Sequence, residues 1–111
     1  MTSIHYAALR ITLNRINASK KVDAIISNCF SFKIGKTGDT LYERLNSYNG
    51  EYNHIENVFQ GLEIEVDDME SYLIDKYIDH PKCDNKKDGS ASNKDTMAEN
   101  TELYQVYIVW K

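Results

Sequence analysis

Residues 30–45 read FSFKIGKTGDTLYERL, and this stretch predicts a strand, a turn and a helix in immediate succession. Phe32 and Ile34 alternate with polar neighbours, which is the pattern of a strand with one apolar and one polar face. Gly35 and Gly38 then mark a turn, because glycine interrupts regular structure at little steric cost. Any chemistry carried by the polar face of this strand therefore lies beside a glycine turn.

The helix that follows this turn has its own start and stop signals. Thr40 and Glu43 have the spacing of a capping box, in which each side chain bonds the backbone N–H of the other residue. We expect the helix to run to about Tyr48 and the Asn49–Gly50 pair to end it. Arg44 shares a helical stripe with apolar residues, so its charge faces the packed side of the helix.

Outside this stretch, apolar spacing predicts a mixture of helices and strands. The N-terminal part is ambiguous, because residues 4–8 alternate like a strand while the apolar residues from 7 onward have helical spacing; we favour the helix. The further predicted elements are a helical turn at 22–26, a strand at 55–64 containing Gly61 and a bulge, a helix at 67–78, and a buried strand at 103–110.

The length of 111 residues fits one domain spanning 1–111. Residues 84–100 are rich in Asn, Lys, Asp, Ser and Gly, and we expect them to form a flexible loop within it. No apolar run approaches the ~20 residues that span a bilayer, and the N-terminal residues lack the apolar core of a signal peptide. These features predict a cytoplasmic, intracellular protein with no membrane association.

The net charge of −4 argues against a purely electrostatic nucleic-acid binder. Its distribution is uneven, since residues 1–50 contain 7 Lys and Arg against 3 Asp and Glu, whereas residues 51–111 contain 6 against 14. A basic half beside an acidic half can give the protein one positive face, although both halves are equally compatible with solvated surface.

Three charged side chains lie among apolar neighbours: Lys33 on the first strand, Arg44 on the next helix, and Glu70 on the helix at 67–78. A charge on an apolar stripe must be paired, bind a metal or lie at the rim of the packed surface. We expect the three to converge on one cleft. The alternative is an ion pair between Arg44 and Glu70 with a structural role only.

The run FKIGKT at 32–37, the sequence ERL at 43–45 and the later Glu70 resemble the GIY-YIG nuclease superfamily, and most closely its phage and restriction-type branch. The resemblance covers residues 29–85. It implies an α+β fold with a small, mainly antiparallel sheet of about three to four strands flanked by helices. It also implies a Mg²⁺-dependent DNA endonuclease from a phage, a mobile element or a restriction system.

The resemblance assigns roles to individual residues. Arg44 corresponds to the helix arginine that holds the scissile phosphate, and Glu70 to the carboxylate that binds a single Mg²⁺. Lys33 stands at the place of the second-motif tyrosine, where some restriction-type members have lysine. These residue types suit phosphodiester hydrolysis, because a guanidinium clamps two phosphate oxygens and a carboxylate holds a hard cation. A lysine with a lowered pKa can position or deprotonate the attacking water.

Further positions follow from the same resemblance. Tyr48 shares the face of Arg44 and is a catalytic candidate, and Lys36 and Asn85 are candidate substrate-binding residues. The first motif of the family ends in a tyrosine shortly before the second motif, and that window has no match here. Tyr6 is a weak, displaced candidate for it.

The missing first motif leaves other functions open. One alternative is a catalytically attenuated nucleic-acid-binding or protein-interaction module that keeps the GIY-YIG fold. Another is an interaction domain that uses the tyrosine-rich C-terminal strand as an exposed sheet edge. The sequence does not decide among these functions, and it leaves the oligomeric state open.

Overall fold

The computed structural model describes residues 2–86 and 104–111. Within these residues the elements follow the order α1 (Thr2–Ile26), β1 (Phe32–Thr37), α2 (Leu41–Asn46), β2 (His54–Gly61), α3 (Glu63–Tyr77) and β3 (Tyr104–Trp110). The strands form one antiparallel three-stranded sheet. The predicted α+β class, with a small antiparallel sheet flanked by helices, is therefore confirmed.

The last strand in the sequence, β3, is the central strand of the sheet, whose order is β1-β3-β2. Helices α1 and α3 pack on one face of the sheet and α2 on the other, which explains why β3 carries four consecutive buried residues instead of alternating burial. Both edges of β3 are hydrogen-bonded to neighbouring strands. The hypothesis of an exposed C-terminal edge strand is therefore wrong.

The two faces of the sheet carry different packing layers. On one face, Phe32, Ile34 and Ile108 join the buried core formed with α1 and α3. On the other face, Tyr107 and Val109 pack with α2. Adjacent residues along β1 and β3 point to opposite faces, so strand β1 has α3 on one side and α2 on the other.

Helix α2 begins as the sequence predicts. Thr40 accepts a hydrogen bond from the Glu43 backbone N–H at 3.1 Å, and the Glu43 carboxylate accepts one from the Thr40 N–H at 3.4 Å. The helix ends at Asn46, slightly earlier than expected, and the chain then turns through Asn49 and Gly50, both with positive φ. Asparagine and glycine tolerate this left-handed backbone, so the pair forms a turn just beyond the helix and does not itself end it.

Helix α1 is one continuous helix of 25 residues, so the expectation of two shorter helical segments was wrong. Its C-terminal part packs on the sheet through Ala18, Val22 and Ile26, a stripe with four-residue spacing. In its N-terminal part, Leu9 and Leu13 are 55% and 48% exposed. The buried stripe explains the continuity, because it holds residues 22–26 in the same helix as the preceding turns.

Helix α3 begins four residues earlier than expected, at Glu63. The Glu65 carboxylate accepts a hydrogen bond from the Leu62 backbone N–H at 2.9 Å and so stabilises an earlier first turn. Ile64, assigned to the preceding strand by its apolar character, lies in this turn and is exposed. The bulge predicted in β2 is confirmed, although it lies after Asn57 and not at the glycine.

The segment after α3 returns to the outer edge of β1. The Phe32 backbone N–H donates to the Lys82 carbonyl at 2.9 Å, and the Asp84 N–H donates to the Phe32 carbonyl at 2.8 Å. These bonds cover part of an edge strand that would otherwise present unpaired backbone groups.

The predicted loop at 84–100 lies outside the described residues from 87 onward. The prediction of one domain over 1–111 stays a prediction. Among the helices that the structure describes, none combines the length and apolar character needed to cross a bilayer.

Candidate functional site

Tyr107 and Gly35 form the centre of the candidate site. They lie directly opposite each other in the β1–β3 pairing, and the Tyr107 ring extends across Gly35. A Cβ built on Gly35 would lie 2.6 Å from the ring carbon that bears the hydroxyl, and closer still to the hydroxyl oxygen. Glycine is therefore required at this position by the close approach of the ring.

Tyr48 lies just beyond the end of α2 and contacts Tyr107. Their hydroxyl oxygens are 2.6 Å apart, and either one can be the donor. Burial is the main reason that the pKa of each hydroxyl is raised, while the positive charge of Arg44 acts against the rise in both. Both hydroxyls are therefore protonated at neutral pH and can donate or accept hydrogen bonds.

Arg44 extends over the same aromatic pair. Its guanidinium carbon lies 5.9 Å from the centre of the Tyr107 ring, within the range of a cation–π contact. Its Nε is buried, and no acceptor among the described residues forms a hydrogen bond with it. Buried donors without acceptors are rare in folded proteins, and a bound anion would satisfy this one.

Lys33 lies on the same face of β1. Its ammonium is 5.7 Å from the centre of the Tyr48 ring. The structure thus brings together three of the predicted catalytic residues, Lys33, Arg44 and Tyr48, and adds Tyr107 to them. These four residues are called the arginine cluster below.

Glu70 lies on helix α3, which packs on the face of β1 that carries Phe32 and Ile34. It is buried, and its Oε1 is 3.7 Å from the ammonium of Lys36. The same ammonium donates a hydrogen bond of 2.7 Å to Asp67, one helical turn before Glu70. Because Glu70 pairs with Lys36, the alternative of an ion pair with Arg44 is wrong. Lys36, Asp67 and Glu70 are called the carboxylate cluster below.

The environment of Glu70 changes its acidity. Burial raises the pKa of its carboxyl to about 7, while the positive charge of Lys36 opposes this rise and the negative charge of Asp67 adds to it. Near neutral pH the group is therefore divided between its protonated and charged forms. A cation bound beside it would favour the charged form.

The two clusters belong to different packing layers beside the edge strand β1. The expectation that Lys33, Arg44 and Glu70 would share one cleft is therefore met by the first two residues only. Glu70 still acts on the arginine cluster, since its negative charge adds to the burial that raises the pKa of Tyr48 and Tyr107. The clusters are thus separate in packing but electrostatically coupled.

Two further candidate residues lie outside the clusters. The Asn85 Oδ1 accepts a hydrogen bond from the Ile34 N–H at 2.9 Å, and its Nδ2 donates one to the Ile34 carbonyl at 2.9 Å. Asn85 thus pairs with the backbone of β1, and its role in substrate binding stays a prediction. Tyr6 lies on the N-terminal part of α1 and is 70% exposed.

Tyr107 was not among the residues predicted from the sequence. Its neighbours Val106 and Ile108 are also buried, so in the sequence it has the pattern of an ordinary packed strand residue. One signal could have found it. The residues shortly before the second motif, where the family has the tyrosine of its first motif, contain no tyrosine here. A hydroxyl beside Gly35 would therefore have to come from a strand elsewhere in the chain.

The carboxylate cluster contains the ligand type that Mg²⁺ prefers. Asp67 and Glu70 offer carboxylate oxygens from successive turns of one helix. Within 2–86 and 104–111, no group of three or more His, Cys, Asp or Glu side chains is placed to hold a metal ion. A Mg²⁺ ion would therefore bind to one or two carboxylates and water, which is a usual arrangement for this ion. The residues present fit such an ion.

Comparison with known proteins adds no relative to this description. No family model matches the chain, and no curated protein or solved structure matches it. Any functional inference therefore depends on the geometry of the two clusters and on the motif around Gly35.

Proposed function

We propose that this protein is a Mg²⁺-dependent DNA endonuclease of the GIY-YIG type, in which the arginine cluster binds the scissile phosphate. The observation that carries the proposal is the meeting of Tyr107 with Gly35, Tyr48 and Arg44. The sequence around Gly35 resembles the second motif of that superfamily, whose first motif brings a tyrosine on another strand. In this chain, β3 supplies a tyrosine hydroxyl beside that glycine.

Arg44 would hold the phosphate. Its buried Nε lacks an acceptor among the described residues, and a guanidinium can donate to two phosphate oxygens at once. During hydrolysis negative charge grows on the phosphoryl oxygens, so a fixed cation stabilises the transition state. Lys33 adds a second positive charge on the same face of the strand.

The hydroxyl pair of Tyr48 and Tyr107 would orient the attacking water. Because burial raises the pKa of both groups, they take part as neutral hydroxyls and not as phenolates. A neutral hydroxyl can accept a hydrogen bond from water and so fix its direction toward phosphorus. The bond of 2.6 Å between the two hydroxyls keeps this acceptor in place.

Glu70 would hold the Mg²⁺. When bound, the ion would supply Lewis-acid stabilisation to a phosphate beside the edge strand β1, where the charge of Glu70 already acts on the hydroxyls of Tyr48 and Tyr107. The buried position of Glu70 favours a bound cation, because a buried carboxylate without a counter-charge is costly. A DNA substrate is also compatible with the prediction that the protein acts in the cytoplasm, inside the cell.

Nicking of supercoiled plasmid in Mg²⁺ tests the proposal. We expect the wild type to produce nicked circles and Glu70→Ala to do so at least about 100-fold more slowly, because it loses the carboxylate for the metal. Glu63→Ala is the matched control, since Glu63 is an exposed acid on the same helix, and it should nick at the wild-type rate. A folded wild type that nicks no plasmid would contradict the proposal.

A second candidate is a nucleic-acid-binding module of the same fold with attenuated cleavage. The ion pair between Lys36 and Glu70 favours it, because an ammonium already neutralises the carboxylate expected to hold the metal. Salt-sensitive DNA binding without nicking would support this module. If the protein neither binds nor nicks DNA, a protein-interaction domain is the remaining function.

A further inference from the structure

Lys36 contacts both carboxylates of the carboxylate cluster. Its ammonium lies between two carboxylates, 2.7 Å from Asp67 Oδ1 and 3.7 Å from Glu70 Oε1. The side chain of Lys36 is 18% exposed and that of Glu70 is 8% exposed, so water has little access to their contact. The neighbouring Gly35 lies under Tyr107, which places Lys36 one residue from the arginine cluster but on the other face of β1.

The ammonium holds the two carboxylates differently. Asp67 accepts a hydrogen bond from it, and the Asp67 side chain is 45% exposed. Glu70 is buried and lies beyond hydrogen-bond distance from the ammonium. The charged groups that act on Glu70 are Lys36 and Asp67. Lys36 therefore neutralises Glu70 by charge while leaving its oxygens available to another cation.

We infer that Lys36 competes with divalent cations for Glu70 and keeps the metal affinity of the free protein low. The inference rests on the proposed function in taking Glu70 as the cation ligand. A divalent ion on Glu70 would lie close to the ammonium, and like charges repel strongly where water is largely excluded. Metal binding therefore requires the ammonium to withdraw toward Asp67, with which it already has the shorter contact.

The test is the binding of Mn²⁺ to the full chain without nucleic acid, measured from the electron paramagnetic resonance signal of free Mn²⁺. Lys36→Met removes the competing charge, and we expect the Mn²⁺ affinity to rise about tenfold. Lys20→Met is the matched control, because it removes the same charge from an exposed position on α1. Its affinity should stay within about twofold of the wild type. Lys36→Arg keeps the charge and should keep the low affinity.

The increase in Mn²⁺ affinity caused by Lys36→Met must also depend on Glu70. In Lys36→Met combined with Glu70→Gln, the increase in affinity should disappear. Equal Mn²⁺ affinities for Lys36→Met and Lys20→Met would overturn the inference, and so would an increase that survives Glu70→Gln. If circular dichroism shows that Lys36→Met does not fold, Lys36→Gln takes its place, since an amide can still bond Asp67 without a charge.

This measurement and plasmid nicking can fail independently. A Lys36-dependent gain in Mn²⁺ affinity in a protein that nicks no DNA keeps the competition and rejects the endonuclease. Nicking by a protein in which Lys36→Met leaves the Mn²⁺ affinity unchanged keeps the endonuclease and rejects the competition.

Discussion

The two faces of strand β1 hold their charged side chains in opposite ways. On the α2 face, Arg44 lies over the ring of Tyr107, and its buried Nε bonds no described acceptor. On the α3 face, Lys36 bonds Asp67 and screens Glu70. Among the described residues, the arginine cluster therefore keeps a buried donor without an acceptor, whereas the carboxylate cluster already has an ammonium beside its negative charges.

Removing the cation from the α2 face should have the largest effect. We expect Arg44→Ala to lower the rate of plasmid nicking by about 10²–10³-fold, because one fixed donor to the developing phosphate charge is lost. Arg44→Lys should restore only part of the rate, since an ammonium cannot donate in the planar, two-pronged geometry. The control is Arg10→Ala, an exposed arginine on α1. Wild-type nicking by Arg44→Ala would remove Arg44 from the site.

On the α3 face, Glu70 should make the stability of the protein depend on pH. The folded-state pKa of Glu70 is about 7, above its ordinary value of 4.5, so between these values the folded protein binds the proton more readily than the unfolded chain. The stabilising contribution of Glu70 to the free energy of unfolding is therefore fully present below pH 4.5 and is lost as the pH rises toward 7. Relative to Glu70→Gln, the wild type should lose up to about 3 kcal/mol of unfolding free energy over this range.

Urea unfolding of both proteins at several pH values measures this difference. Comparing the wild type with Glu70→Gln cancels the titration of groups that the two share. The control is Glu63→Gln. The difference in unfolding free energy between the wild type and this variant should not decrease between pH 4.5 and 7. A constant difference for Glu70→Gln as well would mean that the buried carboxyl titrates normally.

The close approach of Tyr107 to Gly35 can be broken by adding one methyl group. Gly35→Ala should lower the free energy of unfolding by about 2 kcal/mol, because the new Cβ overlaps the tyrosine ring. Tyr107→Leu should remove most of that penalty when it is combined with Gly35→Ala, since the ring is then absent. Thermal or urea unfolding of the two single variants and the double variant measures the coupling. Additive losses would contradict a direct contact.

The smallest effect should come from one hydroxyl. Tyr107→Phe keeps the ring over Gly35 and removes the 2.6 Å bond to Tyr48, which should cost about 1 kcal/mol of unfolding free energy. If the pair orients water, nicking should also fall by about tenfold or more. Tyr42→Phe on α2 is the control, because Tyr42 is 74% exposed. A loss of stability with full nicking would give the hydroxyl pair a structural role only.

Much of the arginine cluster could be predicted because its causes are local. The capping box of Thr40 and Glu43 set the start of α2, and helical spacing then put Arg44 and Tyr48 on one side of the chain. Strand alternation likewise placed Lys33 on the polar face of β1. Each of these features depends on residues within one or two turns of each other.

The carboxylate cluster could be predicted only in part. The apolar stripe of α3 showed that Glu70 would be buried, but not which cation would meet it. Lys36 precedes Glu70 by a helix and a strand, and the 3.7 Å between them arises only when α3 packs on β1. The spacing of residues in the sequence indicates which side chains share one face of a helix or strand. It does not indicate which other helix or strand packs against that face.

The sequence by itself determined the α+β class, the capped helix beside the glycine turn and the positions of the charged residues on apolar stripes. Only the tertiary structure decided that β3 inserts between β1 and β2, so that Tyr107 crosses Gly35, and that Glu70 meets Lys36 and not Arg44. The physical reason is that strand order and layer packing depend on contacts between distant segments, whereas capping and periodicity depend on near neighbours.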